Sequence, residues 1–197
     1  MTDKSRSPRP SDRSDRLCVR EAVAEDVEWI RSLNEAALPA VNSVSAAFFA
    51  AWIEDLEQDE EGLPFFAVAE EHVGGQQSHS AGRLGFVLAL PPARAYESLN
   101  YRWFGERFDR FLYVDRIVVD GDRRGLGVGR FLYDAVVVET QRRGLERVCC
   151  EVNLKPRNEG SLRFHSRYGF LEVGRQPTEE GKKEVSLQVL EVTRQGE

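Results

Sequence analysis

Phe111-Leu112-Tyr113-Val114-Asp115-Arg116-Ile117-Val118-Val119-Asp120 is followed at once by Gly121-Asp122-Arg123-Arg124-Gly125-Leu126-Gly127-Val128-Gly129-Arg130. Val, Ile and aromatic residues dominate the first ten positions, which predicts a strand. The next stretch predicts a tight glycine turn. A helix then runs from about Gly127 to Arg143, with Phe131, Leu132, Ala135, Val136 and Val138 inward. Gly144 stands where a C-cap glycine belongs. Strand, glycine turn and helix in that order have a physical use. Glycines let a ligand approach the backbone and turn successive N–H groups into one concavity. The helix N-terminus adds partial positive charge, and Arg123, Arg124 and Arg130 add full charges. The expected product is a pyrophosphate cradle. A nucleoside-triphosphate loop needs Gly-Lys-Ser/Thr, but Gly129 is followed by Arg130-Phe131. A dinucleotide fingerprint needs GxGxxG near the first strand, but the spacing here is GxGxG in mid-chain.

Outward from the turn, Arg147–Leu154 reads as a strand, Asn158–Tyr168 as a helix closed by Gly169, and Phe170–Arg175 and Glu184–Glu191 as strands. Upstream, Leu17–Val23 is a strand and a helix starts near Glu25, with Val27, Ile30, Leu33 and Leu38 on one face, until Pro39 interrupts it. Ser43 or Ser45 caps a second helix carrying Phe48, Phe49, Trp52, Ile53 and Leu56. That helix ends in Glu54, Asp55, Glu57, Asp59, Glu60 and Glu61, against its own dipole. The run is either a solvated helix end or a rim that attracts amines. Phe65–Glu71 and Arg83–Leu90 form a hairpin. Ala93–Arg110, with Tyr96, Tyr101, Trp103, Phe104 and Phe108, is too aromatic for an idle loop and too irregular for a clear helix. The unit at 111–154 requires parallel pairing and the hairpins antiparallel pairing, so the sheet is mixed. Residues 1–16 hold one apolar side chain, Met1, and read as a disordered tail; residues 17–197 read as one domain, with its elements over about 17–191.

The 197 residues carry 27 Lys and Arg against 33 Asp and Glu, a net charge of −6, which argues against a nucleic-acid partner. No apolar run approaches the roughly 20 residues of a membrane helix, and the first residues lack the apolar core of a secretory signal. Cys18, Cys149 and Cys150 make neither a disulfide framework nor a zinc spacing, so reduced thiols, no metal and a cytoplasmic setting are expected.

Arg124-Gly125-Leu126-Gly127-Val128-Gly129 resembles the cofactor motif of the GNAT superfamily of N-acetyltransferases, Arg/Gln-x-x-Gly-x-Gly/Ala. Asn158 to Phe170, ending in Tyr168-Gly169-Phe170, resembles the family's second cofactor motif. The stretches FLYVDRIVVD and FHSRYGF resemble those of a bacterial branch of the superfamily. The resemblance runs from Val19 to about Val189. It implies an α/β (α+β) fold: a GNAT-like mixed, largely antiparallel central sheet flanked by helices on both faces. It implies acetyl transfer from acetyl-coenzyme A to a primary amine, small or on a protein, by direct attack on the thioester. It also implies that Ile117, Val118 and Val119 pair with the pantetheine arm, that Arg124 to Arg130 hold the pyrophosphate, and that Asn158, Ser161 and Phe164 border the cofactor. Asn158 is equally a plain helix cap. A non-catalytic acyl-coenzyme A binding module is the second reading.

An amine attacks only when neutral, and its pKa is near 10, so a base is needed. Glu151 is the first candidate; some members of the family carry a glutamate at the matching place. It should point away from Cys150 and Val152. Asp115 is the rival: it is expected on the face of Tyr113 and Ile117, and its charge in an apolar strand needs a partner such as Arg116 or Arg147. His165 stands where many members have a tyrosine proposed as the acid for the leaving thiolate. It can donate a proton near neutral pH, or only hydrogen-bond the sulfur, or fill space. Phe48, Phe49, Trp52, Tyr96, Tyr101, Trp103 and Phe104 either wall the acceptor site or fill the core or a homodimer seam.

Overall fold

The computed structural model describes residues 17–58, 62–71 and 82–193. The tail assigned to 1–16, Asp59 to Glu61 of the acidic run, and the hairpin loop from 72 to 81 lie outside the described residues. The strands are β1 (Leu17–Glu21), β2 (Phe65–Glu71), β3 (Arg83–Leu90), β4 (Phe111–Val119), β5 (Arg147–Lys155), β6 (Leu171–Thr178) and β7 (Lys183–Glu191). The helices are α1 (Val27–Ala36), α2 (Ala46–Leu56), α3 (Leu99–Gly105), α4 (Val128–Arg142) and α5 (Glu159–Tyr168). One sheet in the order β1-β2-β3-β4-β5-β7-β6 collects all seven strands, and β4–β5 is its one parallel pair.

Alternation along the strands separates two apolar layers. Ile30 of α1, Phe49 and Ile53 of α2, and Tyr101 and Phe104 of α3 pack with Phe66, Phe86, Tyr113 and Cys149 on one face. Val128, Leu132 and Val136 of α4, with Phe164 and Tyr168 of α5, pack with Val87, Val114, Val148 and Cys150 on the other. Cys149 and Cys150 therefore face opposite ways, as neighbours in a strand must, and all three cysteines are free. Val138 does not point inward as its spacing predicts. It is 63% exposed, while Tyr133 on the inner stripe is fully buried.

Ser98 explains the irregular aromatic segment: its hydroxyl accepts from the Tyr101 amide at 3.2 Å and starts the seven-residue helix α3. Most of the aromatic residues form a core layer. Phe49 and Phe104 are fully buried and Tyr101 is 6% exposed. Trp103 lies on β6, where Gly174 makes room: a Cβ there would stand 2.7 Å from Cζ2 of the indole. The Arg107 guanidinium covers the ring at 3.9 Å. Within the described part of the acidic run, Asp55 is paired with Arg94, whose guanidinium lies over the Trp52 ring at 5.6 Å.

Trp103 is thus a clamp between α3 and β6. Trp103→Ala should lower stability by about 2 kcal/mol, a fall in Tm of roughly 4–8 °C, measurable by calorimetry. An unchanged Tm with a raised KM for the acceptor would place the ring in the binding site instead.

Candidate active site

β4 and β5 pair only from Phe111 with Arg147 to Val114 with Cys150. Beyond that point β4 follows β3 and β5 follows β7, and the two strands part into a wedge. The register of β4 on β3 explains the divergence. Leu88 is opposite Arg116 and Ala89 is opposite Val114, so Asp115 is one extra residue. Such a bulge bends the strand and increases its twist. It also reverses which residues face which layer. Tyr113 packs with the α1–α3 layer and Ile117 with the α4–α5 layer, so the expected common face for Tyr113, Asp115 and Ile117 does not survive the bulge.

The wedge opens into two joined cavities. The larger, about 790 Å³, is walled by Ile117, Val118 and Val119 of β4, by Arg124, Gly125, Gly127, Val128, Gly129 and Arg130 of the glycine turn, and by Asn158, Ser161 and Phe164 of α5. Leu126 is outside this wall and exposed. Gly125 and Gly127 have φ of +77° and +87°, the left-handed region that L side chains avoid, and a Cβ on either would meet nothing within 4 Å. The turn therefore needs glycine for its backbone shape and leaves open space in front of it. Arg123 and Arg124 are exposed and have no ion-pair partner among the described residues. Asn158 is the N-cap of α5, accepting from the Ser161 amide at 3.1 Å, and it also borders the cavity.

The smaller cavity, about 430 Å³, contains Asp115, Glu151 and Tyr96. Ile117, Tyr133, Asn153, Ser161 and His165 border both spaces. Its roof is the loop between α1 and α2. Asn34 Nδ2 donates to the Asn42 carbonyl at 3.0 Å, Asn153 Nδ2 to the Pro39 carbonyl at 3.2 Å, and Lys183 Nζ to Asn42 Oδ1 at 2.7 Å.

Glu151 points away from Cys150, as alternation requires, and its Oε2 accepts from the Tyr113 hydroxyl at 2.8 Å. Asn100 also hydrogen-bonds it, and Gln176 Nε2 holds Asn100 Oδ1 at 2.9 Å. Burial first, and then the neighbouring Asp115 charge, raise the Glu151 carboxyl from 4.5 to about 7 against these hydrogen bonds. Asp115 is paired instead: it accepts from Tyr96 Oη at 2.6 Å and Arg116 Nε at 2.7 Å. Arg147, its other expected partner, binds Glu191 at 2.9 Å. Arg116 also donates to Asn34 Oδ1 at 2.9 Å and lies over the Phe48 ring at 4.9 Å, so one guanidinium joins β4, α1 and α2.

His165 is buried, and both ring nitrogens are occupied. Nδ1 lies 2.7 Å from the Ser161 carbonyl and Nε2 lies 2.7 Å from the Tyr133 hydroxyl. Burial lowers its pKa below 6.5 against the carbonyl bond, leaving the ring neutral at physiological pH. Tyr133, Asn153 and Arg157 were not singled out in the sequence; all three border the larger cavity. An Asn two residues beyond Glu151, on the same side of a strand, was the available signal for Asn153. Trp103 and the described acidic residues of α2 border neither space. Among the described residues no cluster suits a metal ion, and no helix is long and apolar enough to cross a membrane.

The model of the Acetyltransferase (GNAT) family matches residues 28–170. No curated protein matches the chain. Among solved structures, Ard1 of Thermoplasma volcanium is similar with a TM-score of 0.67 at 17% identity, covering 90% of this chain and 99% of its own. A GNAT-family protein described as a putative acetyltransferase of Desulfovibrio desulfuricans gives a TM-score of 0.67 at 19% identity, covering 90% and 99%. The yncA protein of Salmonella typhimurium, solved with acetyl-CoA, gives 0.62 at 18%, covering 92% and 96%. At such identities the likeness establishes the fold.

The raised Glu151 carboxyl sets a stability test. Between 4.5 and about 7 the folded protein holds a proton that the unfolded chain has released. The stability from that proton is full below 4.5 and is lost as pH rises through about 7. Glu151→Gln, always neutral, should melt higher than the parent at about pH 8 and level with it at about pH 4. Equal melting at both would mean an ordinary carboxyl.

Proposed function

The chain belongs to the GNAT acetyltransferase family and is an acetyl-coenzyme A-dependent N-acetyltransferase, and from that premise we propose how its residues divide the work. The observation that carries the proposal is one wedge holding both a free strand edge and the Glu151 carboxyl, which burial and the neighbouring Asp115 push up to about 7. A module that only binds acyl-coenzyme A has no use for the second.

Acetyl-coenzyme A, when bound, supplies an activated acetyl group on a thioester. The larger cavity fits it on three features of this chain. Among the described residues the β4 edge beyond Val114 has no partner strand, so its N–H and C=O groups are available to an amide-bearing arm. The glycine turn presents open backbone at the start of α4, with the exposed Arg123 and Arg124 beside it. Phe164 and Val128 add apolar wall. Ile117, Val118 and Val119 would take the arm, Arg124 to Arg130 the pyrophosphate, and Asn158, Ser161 and Phe164 the facing side.

Glu151 is the base. An amine arrives as ammonium, and a carboxylate with a pKa of about 7 can both attract it and take its proton. Asp115 is a fixed charge held by Tyr96 and Arg116; it keeps the Glu151 pKa high and adds to the attraction. Free main-chain N–H groups on β4 are the donors suited to a developing oxyanion. The smaller cavity is large enough for a small amine or for the terminal residue of a peptide. Free thiols support a cytoplasmic setting.

Glu151→Gln should lower kcat roughly 10²- to 10⁴-fold, measured by thiol release with a panel of amines, while calorimetric affinity for coenzyme A holds. In the parent, kcat/KM should rise with pH through a midpoint near 7. Asp115→Asn should move that midpoint down, because a neighbouring negative charge is lost. A profile flat from about pH 5 to 8 would remove Glu151 from the role.

Gly127→Ala tests the cradle. It forces an L side chain to a φ of +87° and places a methyl in the open space. Coenzyme A affinity should fall at least tenfold while the protein stays folded, with a stability loss of roughly 1–2 kcal/mol. Unchanged affinity would move the pyrophosphate elsewhere.

A further inference from the structure

Beneath the junction of the two cavities lies a buried polar chain with no role yet assigned: Tyr133 on α4, then His165 and Ser161 on α5. Its hydrogens can be placed from chemistry alone. The Ser161 carbonyl can only accept, so the nitrogen 2.7 Å from it, His165 Nδ1, carries a hydrogen. Phe164, Phe170 and Tyr133 enclose the imidazole with ring centroids at 5.4, 5.1 and 5.3 Å, a setting that disfavours a charged ring. A neutral imidazole with a hydrogen on Nδ1 has a bare lone pair on Nε2. The Tyr133 hydroxyl, 2.7 Å away, must therefore donate to it. Ser161 Oγ lies 3.2 Å from Nδ1, where it meets a hydrogen and not a lone pair. The serine oxygen can only accept there. Its own hydrogen is left without a partner among the described residues, on a partly exposed side chain that borders both cavities.

Resting on the acetyltransferase reading above, we propose that the Ser161 hydroxyl donates a hydrogen bond to the departing sulfur of the thioester. Its aim is set by the one-way chain Tyr133 to His165 to Ser161. Tyr133 is fully buried and His165 is 4% exposed, and the tyrosine hydroxyl and both ring nitrogens are already engaged within the chain, so both are positioning residues. Ser161 lines the larger cavity together with Ile117, Val118 and Val119 of β4. The two walls thereby divide the load, with main-chain N–H groups of β4 for the oxygen and the hydroxyl of α5 for the sulfur.

Ser161 keeps its proton throughout, since an alcohol is too weak an acid to give it up. As the acyl carbon–sulfur bond breaks, the electron pair stays on sulfur, where the donated hydrogen bond stabilises it. Glu151 passes the proton of the arriving ammonium to solvent and then takes the second proton that nitrogen sheds as the amide forms; Glu151 returns that one to solvent, and an equivalent proton reaches the thiolate from solvent on release. Ammonium and thioester become amide, thiol and one proton.

The test uses the full chain with coenzyme A and an amine found active in the panel. Ser161→Ala should lower kcat about 10- to 100-fold, the scale of a hydrogen bond to a charged group, with little change in the KM for the amine. The decisive readout needs no turnover. The thiol of bound coenzyme A, followed by thiolate absorbance, should ionise about one pH unit higher in Ser161→Ala than in the parent. Ser161→Thr should restore both values. Tyr133→Phe should reproduce part of the loss, and should add nothing in the Ser161→Ala background. Nitrogen NMR of His165 should show the hydrogen on Nδ1. Parent-like turnover in Ser161→Ala, an unmoved thiol titration, or a hydrogen on Nε2 would each overturn the assignment. Failure of the parent to bind coenzyme A would instead overturn the reading beneath it.

Discussion

The parting of β4 from β5 is the constraint on which the site depends. A parallel pair that stayed closed to the strand ends would spend its main-chain groups on itself and bring the two lips together. Here the pairing stops at Val114 and Cys150, and the next residue on each strand is a carboxylate, Asp115 or Glu151. The extra residue at Asp115 bends β4, which stays paired with β3 as far as Val119, while β5 stays paired with β7. A sheet that would otherwise be a continuous core layer thus has a cleft at its centre, with free backbone on one side and acids at its apex.

Opening the sheet places charge where water is scarce, and the surrounding residues limit that cost. Arg116 pairs with Asp115 while fastening the roof loop through Asn34 and Asn42. Tyr96 and Tyr113 each give a hydroxyl to one carboxylate. What is left uncompensated is the Glu151 charge, and that shortfall is what raises its pKa to about 7. The feature that weakens the fold above neutral pH is the one that makes the carboxyl useful as a base.

Much of this was legible in the sequence. The strand–turn–helix around Gly125 to Gly129 depends on local rules, since left-handed glycines, an arginine-flanked turn and an amphipathic helix need no tertiary context. Glu151 and the cysteine pair followed from strand alternation. The bulge at Asp115 was not legible, because one extra residue in an apolar strand leaves the composition unchanged, and it sent Ile117 to the opposite layer. Trp103 was open between acceptor wall and core or dimer seam because its packing depends on Gly174, 71 residues away in sequence but directly beneath the ring. Tyr133 carried no signal of its own in the sequence, and it is core. Its hydroxyl matters only because α5 brings His165 to it.

The central claim is that one wedge receives coenzyme A along the free edge of β4 and across the glycine turn. Amide hydrogen exchange, with and without coenzyme A, tests it most directly. The account predicts slowed exchange at residues 115–119 and 125–130, with little change at β1 and β2. Protection confined to β1 and β2, or none along β4 at saturating coenzyme A, would contradict it.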